Sequence, residues 1–133
     1  MEINYVAVLV AALVGWLIGA AWYGVLGKQW MKALGWSAED IAAKRRVPFG
    51  PMIISFVALS IMGYMLAGVM GHLGPMTIRA GITAGALLWL GFTITTMVVN
   101  NAYQMRKPML TVIDGAHWLA VLVVQGAIIG GLS

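Results

Sequence analysis

Four long apolar segments follow one another along the chain: Ile3 to Leu26, Pro51 to Leu73, Ile78 to Ala102 and Met109 to Leu132. The hydrocarbon core of a bilayer is about 30 Å thick and a helix rises about 1.5 Å per residue, so a span needs roughly 20 apolar residues. Each segment reaches that length with some allowance for tilt. None alternates with a period of two, as the strands of a transmembrane barrel would. The pattern predicts an all-α membrane protein: one four-transmembrane-helix bundle occupying residues 1–133.

The connections differ in kind. Between the second and third spans lies only "GPMT", and between the third and fourth only "YQMRK". The second and fourth spans open on Pro-Met (Pro51-Met52 and Pro108-Met109). Proline suits a helix start, where its missing N–H would have no intrahelical acceptor. The first connection, Gly27 to Gly50, is longer and contains "WSAEDIAAKRR". That stretch predicts a short amphipathic cytoplasmic helix. Ser37 is its N-cap, Asp40 is in capping-box position, Glu39 and Asp40 lie at the positive dipole end, Lys44, Arg45 and Arg46 form the last turn, and Pro48 stops it.

Charge then orients the bundle. The first and third connections carry Lys28, Lys32, Lys44, Arg45, Arg46, Arg106 and Lys107, whereas the opposite side carries only Arg79. By the positive-inside rule both connections face the cytoplasm and both termini lie outside, in the cell inner membrane. No cleaved signal peptide is expected, because the leading "MEIN" holds an acid where such peptides are basic.

Composition agrees: 62% of residues are hydrophobic and 9% charged, with no cysteine. Disulfides, thiolate metal sites and thiol nucleophiles are thereby excluded. The net charge of +4 sits beside apolar spans, so lipid headgroups rather than nucleic acid are the expected partner.

Lipid is as apolar as leucine, and helices in it associate through close packing of small residues. Every span offers some: Gly15 and Gly19 with Ala7 and Ala11 in the first, Gly63 and Gly71 in the second, Gly81 and Gly85 in the third, Gly126 and Gly130 in the fourth. They predict a tight bundle with a tendency to self-associate, and methionines such as Met62 and Met65 are expected to fill gaps.

Polar residues inside spans are costly and point to function. Asp114 and His117 share a face of the fourth span, with Gln125 on roughly the same stripe; a carboxylate beside an imidazole can pass protons. Thr111 and Asp114 also have capping-box spacing, with Arg106 and Lys107 as available counter-charges, which gives Asp114 a structural reading as well. Asn100 and Asn101 close the third span. Together with Tyr23 and Lys28 these residues form a candidate polar cluster in the cytoplasmic third of the bundle. Trp22, Tyr23, Trp30 and Trp36 beside Lys28 and Lys32 have the composition of membrane-interface anchors. Trp16 and Trp89 fall mid-span, where each indole N–H needs a backbone carbonyl or a ligand. No phosphate-binding glycine pattern, metal-ligand spacing or nucleophile triad is present, so no cofactor, metal or catalytic residue is expected.

The start "NYVAVLVAALVGWLIGAAWYG" followed by "GKQWMKALG" resembles small bacterial membrane proteins of the domain-of-unknown-function family 1761, through Trp22, Tyr23, Gly27, Lys28, Trp30 and Met31. Trp89 to Phe92 and Gly126 to Ile129 extend the likeness. The chain departs from the family in carrying Gly24-Val25 where a proline often follows the Trp-Tyr pair. The resemblance implies a four-helix fold and a membrane location, without an activity. The expected function is a noncatalytic oligomeric or accessory-subunit module, with a small transporter or channel for protons, ions or a small solute as the alternative.

Overall fold

A computed structural model describes residues 2–43 and 49–133. Among the described residues the regular structure is all helical, in the order α1 (Tyr5–Ala33), α2 (Ala38–Ala43), α3 (Phe49–Leu73), α4 (Ile78–Leu88), a π-helical turn (Trp89–Thr93), α5 (Ile94–Tyr103) and α6 (Pro108–Leu132). α4, the π turn and α5 run on as one rod, Ile78–Tyr103. That rod, α1, α3 and α6 are the four helices long and apolar enough to cross a membrane.

Two features differ from the sequence expectation. α1 does not end near Leu26 but continues to Ala33, 29 residues in all, or roughly 43 Å. Its stop is Gly35 at φ 86°. Gly35 N–H donates to the Lys32 carbonyl and Trp36 N–H to the Met31 carbonyl, the paired bonds of a Schellman cap. The segment "GKQWMKALG" is therefore helical up to its cap, because glycine in the left-handed region ends the helix and the lysines do not. The second difference is the π turn. Its extra residue per turn rotates α5 relative to α4, which hydropathy alone does not encode.

Helix α2 starts where the capping box places it: Asp40 N–H donates to Ser37 Oγ and Ser37 N–H to Asp40 Oδ2, both at 3.2 Å. It spans only Ala38–Ala43 and buries no residue. The expected last turn, Lys44 to Arg46, and its stop at Pro48 lie outside the described residues. α6 begins at Pro108 as expected, with no side-chain cap at Lys107.

α6 is the axis of the bundle and the most buried span. It runs antiparallel to α1 along nearly its whole length: Asn4 Nδ2 donates to the Leu132 carbonyl at 2.9 Å at one end, and Lys107 Nζ to the Lys32 carbonyl at 3.2 Å at the other. α3 covers α1 over a shorter reach. Tyr5 stacks on Tyr64, a Cβ on Gly63 would touch Val8, and Trp16 Nε1 donates to the Met52 carbonyl near the start of α3. Beyond Trp16, α1 continues toward Ala33 packed mainly on α6.

Two packing devices result. Toward the termini, Val8, Ala11, Leu66, Ala67, Met70, Ala84 and Ile129 form an apolar core shared by α1, α3, α4 and α6. There α4 and α6 touch backbone to backbone: a Cβ on Gly81 would overlap the Gly126 carbonyl, one on Gly126 the Gly81 carbonyl, and those on Gly85 and Gly130 the Leu122 and Thr77 carbonyls. Toward the other end, a smaller cluster of Ala33, Leu110 and Ile113 is flanked by Trp22, Tyr23, Leu26 and Trp30. Large apolar side chains such as Leu17, Ile54, Ile61, Leu90 and Phe92 point outward, as lipid-facing residues do.

Candidate functional site

The polar residues of α6 lie on the face that meets α1. Asp114, His117 and Gln125 recur at helical spacing, with buried Val121 on the same stripe. Gln125 is 0% exposed. Its Nε2 donates to the Ala11 carbonyl at 3.3 Å and to the Leu59 carbonyl at 3.1 Å, while Oε1 is buried without a partner. One amide therefore ties α1 and α3 to α6. Gly15 and Gly63 make room for it, since a Cβ on either would stand 3.3 or 3.7 Å from Nε2. Spacing placed Gln125 on the stripe, but only the packed bundle reveals this double bond.

At the next level up, Tyr23 donates its hydroxyl proton to Asp114 Oδ1 across 2.5 Å, and Trp22 Nε1 donates to the Ile113 carbonyl at 3.1 Å. The Trp30 ring packs edge-on against Tyr23 at 5.7 Å and against Trp36 at 5.9 Å. Trp30 Nε1 is buried and makes no hydrogen bond, although it lies within electrostatic reach of the Asp114 carboxylate. His117, 5% exposed, sits among Trp118, Tyr23 and Trp22 at ring distances of 4.6, 5.1 and 6.3 Å. Its Nε2 faces Gly19, where a Cβ would come within 3.3 Å. Its Nδ1 is buried without a partner.

The aromatic stretch of α1 is thus turned toward α6, with Trp22, Tyr23 and Trp30 each partly buried. The bonds from Trp22 and Tyr23 account for their inward positions. The capping-box reading of Asp114 does not hold: α6 starts about one turn before Thr111, whose Oγ1 instead accepts from Asn101 Nδ2 at 2.9 Å. Arg106 and Lys107 are engaged elsewhere, with Gln104 Oε1 and the Lys32 carbonyl. Asn100 is exposed and offers its backbone carbonyl to Gln104 N–H. Lys28 is exposed as well. Of the six residues in the candidate cluster, Tyr23, Asp114 and His117 come together, Asn101 in the last turn of α5 is tied to Thr111 of α6, and Asn100 and Lys28 stand apart.

Both mid-span tryptophans use backbone carbonyls, Trp16 on Met52 and Trp89 on Gly115 at 2.8 Å. Trp89 opens the π turn, and its acceptor adjoins Asp114 in sequence. A Cβ on Gly115 would collide with Ile94 Cδ1 at 2.7 Å, so the rod and α6 are closely fitted here too. The site offers a carboxylate held by a phenol, an unpaired imidazole nitrogen and a surrounding wall of rings. Such a set can latch two helices or relay a proton. Among the described residues no group of three or more histidines and carboxylates comes together to hold a metal.

Comparison with known proteins gives one match. The model of the family described as "Protein of unknown function (DUF1761)" matches residues 6–130, nearly the whole chain. Neither a curated protein nor a solved structure matches it.

Proposed function

The chain belongs to the DUF1761 family of proteins of unknown function, and from that premise we propose that it is a noncatalytic four-helix membrane module acting in an oligomer or as an accessory subunit of a larger membrane complex. The observation that carries this reading is the third span, Ile78–Tyr103, the least buried of the four. It meets α6 through its glycine edge and leaves Thr83, Thr95, Thr96 and Asn100 exposed along its length. Thr95 and Thr96 close their hydroxyls on the Gly91 and Phe92 carbonyls, but an outward polar edge in a span is what neighbouring helices cover. The charge bias of seven basic residues against one orients the module in the inner membrane, with both termini on the non-cytoplasmic side. Native mass spectrometry from mild detergent tests the reading: a defined homo- or hetero-oligomer is expected, and a strictly monomeric species overturns it.

A second reading rests on the unpartnered His117 Nδ1 beside the Tyr23–Asp114 bond. In it, the polar column of α6 serves the passage of protons, ions or a small solute. Flux into proteoliposomes would then fall in the Asp114→Asn, His117→Ala double variant; unchanged flux removes this reading.

A further inference from the structure

We propose that a groove on the outer side of α1 binds an anionic phospholipid, with an acyl chain along Ile18, Ala21, Trp22, Val25 and Leu26 and the phosphate at Lys28 and Lys32. The groove has a volume of about 410 Å³ and an almost wholly apolar lining, and its described walls all come from α1. It lies on a different face from Tyr5 and Trp16, which meet α3. From Ile18 to Leu26 it runs roughly 12 Å along the helix axis, close to the roughly 15 Å of hydrocarbon in one leaflet. Ala21 is the smallest side chain of the lining. The Trp22 indole contributes a ring wall without a free donor, since its N–H is bonded to the Ile113 carbonyl.

The shape favours a flexible chain over a helix. A transmembrane partner helix packs where small residues recur and backbones can approach. On this stripe Ala21 is the one small residue beside isoleucine, valine, leucine and tryptophan, a lining that suits an alkyl chain better than a helix backbone.

Charge supplies the headgroup preference. Lys32 follows Val25 by seven residues, continuing the groove's stripe, and Lys28 follows it by three, at the stripe's edge; both are exposed. Lys107 places its ammonium on the Lys32 carbonyl, adding a third cation at the same end. The apolar channel thus opens on a cationic rim one to two turns beyond it, in the order of chain and phosphate in a lipid. Zwitterionic lipids carry the same chains without net charge, so the lysines set a preference for anionic ones, by about fivefold for each lysine.

The experiment is native mass spectrometry of the full chain released from bilayers of equal parts phosphatidylglycerol and phosphatidylcholine, reading the lipid adducts that survive. Preferential retention of phosphatidylglycerol is expected. Lys28→Gln with Lys32→Gln should reduce that preference roughly thirtyfold, and Lys28→Arg with Lys32→Arg should keep it. Ala21→Phe, which replaces the smallest lining side chain by a large one, should lower retention of both lipids. Equal retention of the two lipids by the wild type overturns the proposal. So does a preference that the double glutamine variant leaves undiminished, or an Ala21→Phe variant that dissociates an oligomer while leaving lipid adducts unchanged. If Ala21→Phe does not fold, the lysine variants alone decide. Oligomeric state is read in the same spectra, so failure here is distinct from failure of the assembly reading.

Discussion

Alanine at Gly126 tests the closest contact in the molecule. A Cβ there would overlap the Gly81 carbonyl oxygen, and the reverse holds for Gly81 against Gly126. Both obstacles are backbone, so no rotamer change relieves them and α4 must draw away from α6 along the crossing. A gap of 0.5–1 Å forfeits about a quarter to a half of each dispersion contact, and overpacking of this kind costs about 1–3 kcal/mol. Alanine recovers about 0.5–1 kcal/mol in helix propensity. The net expectation for Gly126→Ala is a loss of up to about 2.5 kcal/mol, as much as roughly seventyfold in the folding equilibrium. Gly81→Ala should cost about as much. The two together should cost clearly less than their sum, because the helices are already apart after the first change. Gly24 and Gly27 are the controls: a Cβ at either meets nothing within 4 Å, so alanine there should stabilise by about 0.5–1 kcal/mol. Reversible unfolding in mixed micelles with rising dodecyl sulfate, followed by far-UV circular dichroism, measures the five variants against the wild type. If Gly126→Ala is as stable as Gly24→Ala, the α4–α6 backbone contact is refuted.

The Tyr23–Asp114 bond should appear as coupling in a cycle of Tyr23→Phe and Asp114→Ala, about 0.6–1.7 kcal/mol as for other hydrogen bonds between membrane helices; the same micelle titration measures it, and zero coupling would show that the two groups do not hold α1 to α6. Because the chain has no cysteine, single introduced thiols report topology cleanly. A thiol at Gln104→Cys should react with an impermeant maleimide only from the cytoplasmic side and one at Ser133→Cys only from the opposite side, and the reverse labelling would sink the assigned orientation.

Much of the candidate site was legible one residue at a time and not as a group. Asp114, His117 and Gln125 stand out in any apolar helix because their desolvation must be compensated. Which partners compensate it depends on register. Asn101 and Thr111 are ten residues apart and meet across a turn, whereas Tyr23 and Asp114 are separated by 91 residues and meet only because α1 and α6 run antiparallel from end to end. The length of α1 was missed for a local reason. Lys28, Gln29 and Lys32 lower the hydropathy after Leu26, yet a helix needs satisfied backbone bonds rather than apolar side chains, and those bonds run on until Gly35.

By itself the sequence determined four helices long and apolar enough to span a membrane, their order and the start at Pro108, since the bilayer imposes a length and a composition that each segment must meet alone. It also determined the capping box of Ser37 and Asp40, a bond between residues three apart. Only the tertiary structure decided which small residues meet. Gly81, Gly85, Gly126 and Gly130 became a backbone contact, Gly15 and Gly63 became room for Gln125, and Gly24 and Gly27 met nothing. Small-residue spacing says that a helix can be approached closely; the relative height and rotation of its neighbour decide where it is. The π turn at Trp89–Thr93 belongs to the same class, because the rotation it gives α5 has meaning only against α6.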